Sequence, residues 1–303
     1  MRGLIALLCF CGFTQFGYCW DLADDLKLTT ILWKGRTLTS LSVIVITKNE
    51  AHNIGACLQS VSFADQLVVL DSGSRDGTLD IARAIGAEVS ENHDWQGFGA
   101  QKNRALALAR GDWVLSIDAD ERVTPDLRAE IMAALAAPAF EVYSFPRLSS
   151  YCGQYMRHSG WYPDRVTRLF KRSSAQFSGE LVHEKIMTSH QVGQLTSSLL
   201  HESFTGFEAV LDKANRYSSA GAQMLFARGK TASPGKALAH GAWAFIRTYI
   251  LRRGFLDGWM GLVLAISNAE GTYFRYLKLW LLCQERKDEN QPTADNPSRL
   301  PPE

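Results

Sequence analysis

The sequence has no CxxC pair, no G-x-G-x-x-G or G-x-x-x-x-G-K-[ST] loop, almost no net charge and no uninterrupted apolar run long enough to span a bilayer. Each absence removes a class of protein. Six cysteines scattered over 303 residues provide neither zinc-ligand spacing nor a disulfide framework, so reduced, mostly buried thiols are expected. A formal net charge of +1 gives no general argument for nucleic-acid binding, and any charged partner must be met by a local patch. Without the glycine-rich motifs, dinucleotide-binding and P-loop chemistry lose support. No repeat of solenoid period is present.

What remains is 46% hydrophobic and long enough for a sizeable core. The first residues, MRGLIALLCFCGFTQFGYCW, pose three readings: signal peptide, short anchor, or a start assigned too far upstream. Gly17-Tyr18-Cys19-Trp20 is a poor cleavage site, and the run is short and interrupted for a spanning helix. Regular patterning begins only near Leu41, so an upstream start or a peripheral element is preferred, with residues 1–40 an N-terminal extension.

From Leu41 the chain alternates. LSVIVITKNE is a β-branched strand entering a polar turn, and AHNIGACLQSV follows at helical spacing. QLVVLDSGSRDGT and LDIARAIGA repeat the unit, with Asp76 or Thr78 as helix cap. GAEVSEN, GAQKNRALALARG and DWVLSIDADE then supply a third strand, a helix closed by Gly111 and a fourth strand. Such alternation specifies an α/β, doubly wound, mainly parallel sheet. Ligands of these sheets bind beyond the carboxyl ends of the strands, where Thr47 to Glu50, Asp71 to Asp76 and Asp118 to Glu121 gather. Residues 141–202 switch to short strand-like pieces rich in aromatics and arginine, an antiparallel extension over the crevice. FEAVLDKANRYSSAGAQMLFARGK is a helix, and two further helices are expected up to Leu282 with a break near Arg253-Gly254.

In LSIDADE three carboxylates fall within four residues. Crowded at a strand end they repel one another unless a cation neutralises them. A divalent ion held by one or two carboxylates plus phosphate oxygens would do so. Residues i and i+2 of a strand point the same way, which would let Asp118 and Asp120 face one ligand. The alternatives are that they cap a helix at Thr124-Pro125 or lie solvated. Asp71, at a neighbouring strand end, can accept from a base imide or a ribose hydroxyl, and Glu50 shares the crevice.

SVIVITKNE, LVVLDSGSRDGT and WVLSIDADE, in this order, resemble the nucleotide-binding half of family 2 glycosyltransferases. HDWQGFGAQKNRALALARGDWVLSIDADE, GWYPDRVTRLFKR, LVHEKI and RGFLDGWMGL are similar to the lipopolysaccharide-core glucosyltransferase branch. The resemblance runs from about Leu41 to Leu282. It implies a GT-A fold over 41–205. By composition, residues 206–285 are expected to be a membrane-associated helical region and the polar, proline-containing stretch 286–303 a disordered tail. The resemblance also implies a nucleotide-diphosphate-sugar donor, Mg2+ or Mn2+, and inversion at the transferred sugar. On this resemblance Thr47, Glu50 and Asp71 contact base and ribose, Asp118 lies beside the sugar-nucleotide and Asp120 binds the metal. Lys102 would offset diphosphate charge, the alternative being a solvated helix face.

Inverting displacement needs a stabilised leaving group, a base for the acceptor hydroxyl and in-line alignment. The base is expected after the fourth strand, at Glu184 in VHE or, second, at Asp164 in WYPD. His183 is either a metal or diphosphate contact or a structural imidazole, Arg168 can reach a phosphate, and Trp161 and Tyr162 can stack on a sugar. Nucleotide sugars are cytosolic, so a cytoplasmic site is expected. The C-terminal helices, with basic and aromatic residues together, are expected to lie on the membrane surface facing a lipid-linked or lipopolysaccharide-core acceptor. Rival readings are a polyprenyl-phosphate sugar transferase, a nucleotidyltransferase and a non-catalytic sugar-nucleotide-binding module.

Overall fold

The computed structural model describes residues 39–179, 184–204 and 206–290. The N-terminal apolar run, His183 and residues 291–303 lie outside the described residues. The first part runs β1 (Leu41–Thr47), α1 (Ile54–Ser60), β2 (Gln66–Asp71), α2 (Thr78–Ala84), β3 (Glu88–Glu91), α3 (Phe98–Leu108) and β4 (Trp113–Asp118). β1 is buried along nearly its whole length, as a continuous β-branched run in the middle of a parallel sheet should be. It pairs in parallel with β2 on one side and β4 on the other, and β2 pairs in parallel with β3. Thr47 lies opposite Asp71 and Ile46 opposite Asp118, so the three polar strand ends finish level.

The chain continues through β5 (Glu121–Val123), α4 (Pro125–Ala136), β6 (Val142–Tyr151), β7 (Gln154–Tyr155) and β8 (Asp164–Lys171). Short strands follow: β9 (Gln176–Phe177), β10 (Ile186–Met187), β11 (Val192–Gln194) and β12 (Leu199–His201). The main sheet has the order β3-β2-β1-β4-β8-β6-β12-β5. β8 enters antiparallel between β4 and β6, and β5 closes the edge antiparallel to β12. The architecture is therefore the mainly parallel α/β sheet with an antiparallel extension that the sequence implies. Ile54, Leu58, Leu127 and Ile131 fill a core on one face of the sheet, while Ala105, Phe170 and Phe177 close the other. Thr124, not the strand-end acids, caps α4: its side chain accepts from the Leu127 N–H at 3.1 Å, and Pro125 starts the helix. Asp76 accepts from the Thr78 N–H at the start of α2, although the cap residue itself is Gly77.

The C-terminal part is helical: α5 (Phe207–Ala227), α6 (Pro234–Phe245) and α7 (Gly258–Asn290). Between α6 and α7 the chain passes through a π-helical turn (Ile246–Leu251), a left-handed Arg253 and one 3-10 turn (Gly254–Asp257), so the break falls where the sequence placed it. α7 continues to Asn290, which corrects the expected tail over residues 286–290. No helix among the described residues is long and apolar enough to cross a membrane.

Candidate active site

The level strand ends border a cleft of about 530 Å3, lined by Thr47, Glu50, Ser72, Asp118, Asp120 and His201. Trp95 and Phe98, two half-exposed rings packed edge to face at 4.9 Å, also line it. Thr47 is buried and its hydroxyl has no hydrogen-bond partner among the described residues, a polar atom in the cleft wall that a ligand can satisfy. Glu50 accepts from the Asn53 side chain at 2.9 Å. Asp71 is placed differently from the expectation of a base or ribose contact. It is fully buried, with one oxygen accepting from the Gly73 and Ser74 N–H groups at 2.7 Å and the other from the Ser74 hydroxyl. The carboxylate ties the loop after β2 into a turn that Gly73, at φ 96°, is suited to form. The loop thereby presents Ser72, not Asp71, to the cleft. Gln101 fastens the same loop, its amide donating to the Ser72 hydroxyl at 3.0 Å.

The three acids of LSIDADE separate. β4 ends at Asp118 and the next two residues form a turn, so the two-residue strand period does not carry across to Asp120. Asp118 meets Arg168 at 2.6 Å and Lys102 at 2.9 Å. Burial alone would raise its pKa, but these two cations hold the carboxyl well below the usual range. Glu121, fully buried, takes Arg168 at 3.2 Å and Arg147 at 3.4 Å, and its second oxygen accepts from the Asp118 N–H. Burial, with Asp118 adding to it, nevertheless keeps its pKa raised against the opposing pull of Arg168. Arg168 stays firmly charged: burial opposes the charge, yet Asp118 and Glu121 outweigh it. The register of Leu115 opposite Leu169 sets Arg168 beside the exit of β4. Arginines from the antiparallel extension, together with Lys102, thus supply neutralisation that the sequence reading assigned to a metal ion.

Asp120 is the member left over. It keeps 30% of its side chain exposed in the cleft, and its ion-pair partner among the described residues is His201 Nε2 at 3.3 Å. His201 accompanies it because β5 pairs with β12, setting His201 opposite Glu121, while Ser149 Oγ lies 2.9 Å from Nδ1. One carboxylate and one imidazole fit a Mg2+ or Mn2+ ion that takes its other ligands from phosphate and water. No group of three or more potential ligands exists among the described residues, so a complete protein cage is not on offer. His201 was not singled out in the sequence. Its only signal is a position ending the apolar pair Leu199-Leu200 beside Glu202.

Lys102 does not sit on a solvated helix face. It is buried on α3 and bridges Asp118 at 2.9 Å and Glu184 Oε1 at 2.6 Å. This ion-pair site lines a second cavity with Phe177 and Lys185, which shares Phe98 and Asp118 with the cleft. Gly99 permits the close approach: a Cβ there would lie 1.8 Å from the Ser178 carbonyl oxygen. Asp164 lines a third cavity, which meets the cleft at His201. Its Oδ2 accepts from Arg147 Nε at 3.0 Å and from a terminal nitrogen at 2.6 Å. Arg168 is spent on carboxylates, while Trp161 packs with Tyr151 and Phe204. Tyr162 Oη lies 3.2 Å from Ser198 Oγ.

A doubly wound domain with a cleft at its acidic strand ends defines a nucleotide-binding class of α/β protein. Comparison with known proteins makes that specific. The glycosyl transferase family 2 model matches residues 42–193, and the chain belongs to that family. An uncharacterized glycosyltransferase of Rickettsia prowazekii is 30% identical over 272 residues, covering 86% of this chain and 92% of its own. A lipopolysaccharide core biosynthesis glycosyltransferase of Rhizobium meliloti is 29% identical over 254 residues, covering 78% and 93%. Among solved structures, mannosyl-3-phosphoglycerate synthase from Rubrobacter xylanophilus superposes with a TM-score of 0.40 at 17% identity, over 63% of this chain and 75% of that one. The protein is a glycosyltransferase.

Proposed function

We propose that the chain transfers a sugar, with inversion, from a nucleotide-diphosphate donor in the cleft to a hydroxyl of a lipopolysaccharide-core or similar cell-envelope glycan. A UDP-sugar is the first donor to test. The observation that carries this reading is the meeting of the donor cleft with a separate aromatic cavity at His201, beside Asp120. The relative from Rhizobium meliloti supports the acceptor class. Thr47 and Glu50 contact base or ribose, Asp71 acts by shaping the loop that offers Ser72, and Asp118 orients the sugar side of the donor. Asp120 and His201 hold the metal; when bound, a divalent cation neutralises charge on the departing diphosphate.

Glu184 is the proposed base. Lys102 orients it and leaves Oε2 without a hydrogen bond among the described residues. Asp164 is the second reading, favoured by its place on the third cavity. Turnover of UDP-, GDP- and ADP-sugars with core oligosaccharide, with and without Mn2+, tests the reaction. Glu184→Gln should slow transfer by at least 100-fold with donor affinity kept. The same loss only in Asp164→Asn would move the base, and transfer to a polyprenyl phosphate instead of the glycan would move the acceptor. Nucleotidyl transfer from a triphosphate, or binding of a sugar-nucleotide without turnover, would favour the remaining rival readings.

The helical region is proposed to rest on the cytoplasmic face of the membrane. Around the turn between α6 and α7, Trp259 is 81% exposed, and Leu251, Leu256 and Ile250 are more than half exposed. Arg247, Arg252 and Arg253 lie in the same segment. Exposed apolar side chains interleaved with arginine suit an anionic lipid surface.

A further inference from the structure

Lys213 stands apart from the other cations around the site. Arg168, Lys102 and Arg147 each end on carboxylates. Lys213, on α5, ends on rings: its Nζ lies 4.6 Å from the Phe204 centroid and 5.8 Å from that of Tyr217. It has no ion pair or hydrogen bond among the described residues, and it lines the third cavity, of about 550 Å3. The carboxylate lining that cavity, Asp164, is already engaged by Arg147. A surplus positive charge is therefore left facing the space. Burial lowers the Lys213 pKa, with Asp120 the main influence opposing the shift. Ring contacts stabilise an ammonium less than a hydrogen-bonded ion pair can. The walls are otherwise aromatic and hydroxylic: Tyr151, Trp161 and Phe204 pack on one another, and Ser149, Ser203 and Asn268 offer polar groups. Aromatic faces with a few hydroxyls suit a sugar ring, and the unpaired ammonium suits an anion.

We infer that this cavity is an anion-reading acceptor subsite, in which the Lys213 ammonium receives a phosphate or carboxylate group carried by the acceptor glycan. The identity of the ligand as acceptor rests on the glycosyltransfer reading; the charge argument does not. Lys213 does not line the cleft assigned to the donor, although the two spaces share His201.

Inorganic phosphate serves as the probe, titrated by 31P NMR into the full chain with the donor site filled by UDP and Mn2+. Wild type should bind phosphate saturably, Lys213→Met should weaken it at least tenfold, and Lys213→Arg should retain it, with UDP affinity unchanged in all three. Non-saturable binding, or binding that survives Lys213→Met, overturns the proposal. Loss of phosphate on adding UDP overturns it too, by assigning Lys213 to the donor. In a second arm, core oligosaccharide is compared with its phosphatase-treated and its carboxyl-reduced forms. Wild type should prefer one charged form by about tenfold in kcat/KM and Lys213→Met should not; which treatment removes the preference identifies the anion. Equal use of all three forms by wild type would also refute it. If no oligosaccharide is used while phosphate still binds through Lys213, the acceptor reading fails and the anion site stands.

Discussion

Arg168→Met tests most directly why three acids can share one strand end. Arg168 is buried and meets two carboxylates, Asp118 at 2.6 Å and Glu121 at 3.2 Å. Charged hydrogen bonds contribute about 1.5–3 kcal/mol each, and leaving a buried charge without its partner costs about 3–5 kcal/mol. Lys102 still holds Asp118 and Arg147 still holds Glu121, so the lower end applies, about 3 kcal/mol. Every 1.4 kcal/mol is tenfold, so the unfolding constant should rise roughly 100-fold. Uptake of a proton by Glu121, whose pKa burial already raises, limits the loss. The sign with pH follows from Asp118. Its folded pKa is depressed, so the stability it draws from Arg168 is fully present above the ordinary carboxylate pKa and is lost as pH falls through the folded value. Urea denaturation of wild type and variant should therefore show the full gap at pH 7 and a smaller one only below the ordinary carboxylate pKa, at pH 3. Adding Glu121→Gln to the variant should recover part of the loss, since the buried charge that Arg168 had helped to neutralise is removed. A gap under 1 kcal/mol at pH 7, or one that widens in acid, would refute the account.

Three further outcomes are expected. Gly99→Ala places a Cβ against the Ser178 carbonyl oxygen beside Glu184, so it should lower kcat at least tenfold while UDP affinity, measured by calorimetry, stays within twofold. Glu130 accepts from Thr196 and Ser197; burial opposes its charged form, but these bonds hold its pKa low. Glu130→Gln should cost about 1–2 kcal/mol above the ordinary carboxylate pKa, a gap that closes as pH falls through the depressed one, read by thermal melts. Trp259→Ser with Leu256→Ser should cut pelleting with vesicles containing anionic lipid at least fivefold without changing donor hydrolysis; unchanged pelleting would remove the membrane role.

Much of the framework was open to reading along the chain. The β-branched runs of β1, β2 and β4 each stop at polar residues, and in a parallel sheet such ends must line up on one edge. Thr47, Glu50, Asp118 and Asp120 duly reach one cleft. Asp71 looked equivalent, yet its own loop consumes it, because three donors two and three residues on reach its oxygens first. Lys102 reads as an ordinary helix residue until Glu184, 82 positions away, is brought against it. His201 carried almost no signal, since only the pairing of β12 with β5 sets it beside Asp120.

Local periodicity and the strand-ending polar runs were enough to specify the alternating α/β order and the edge of the sheet where chemistry gathers, because both depend on neighbours a few residues apart. Which acids are neutralised within the protein and which remain for a ligand was decided only by tertiary structure. Arg168 reaches Asp118 across 50 residues, and Lys213 makes no ion pair or hydrogen bond among the described residues because α5 sets its ammonium among rings. Charge balance in a low-dielectric site depends on distances between side chains, and those distances exist only once the strands have paired.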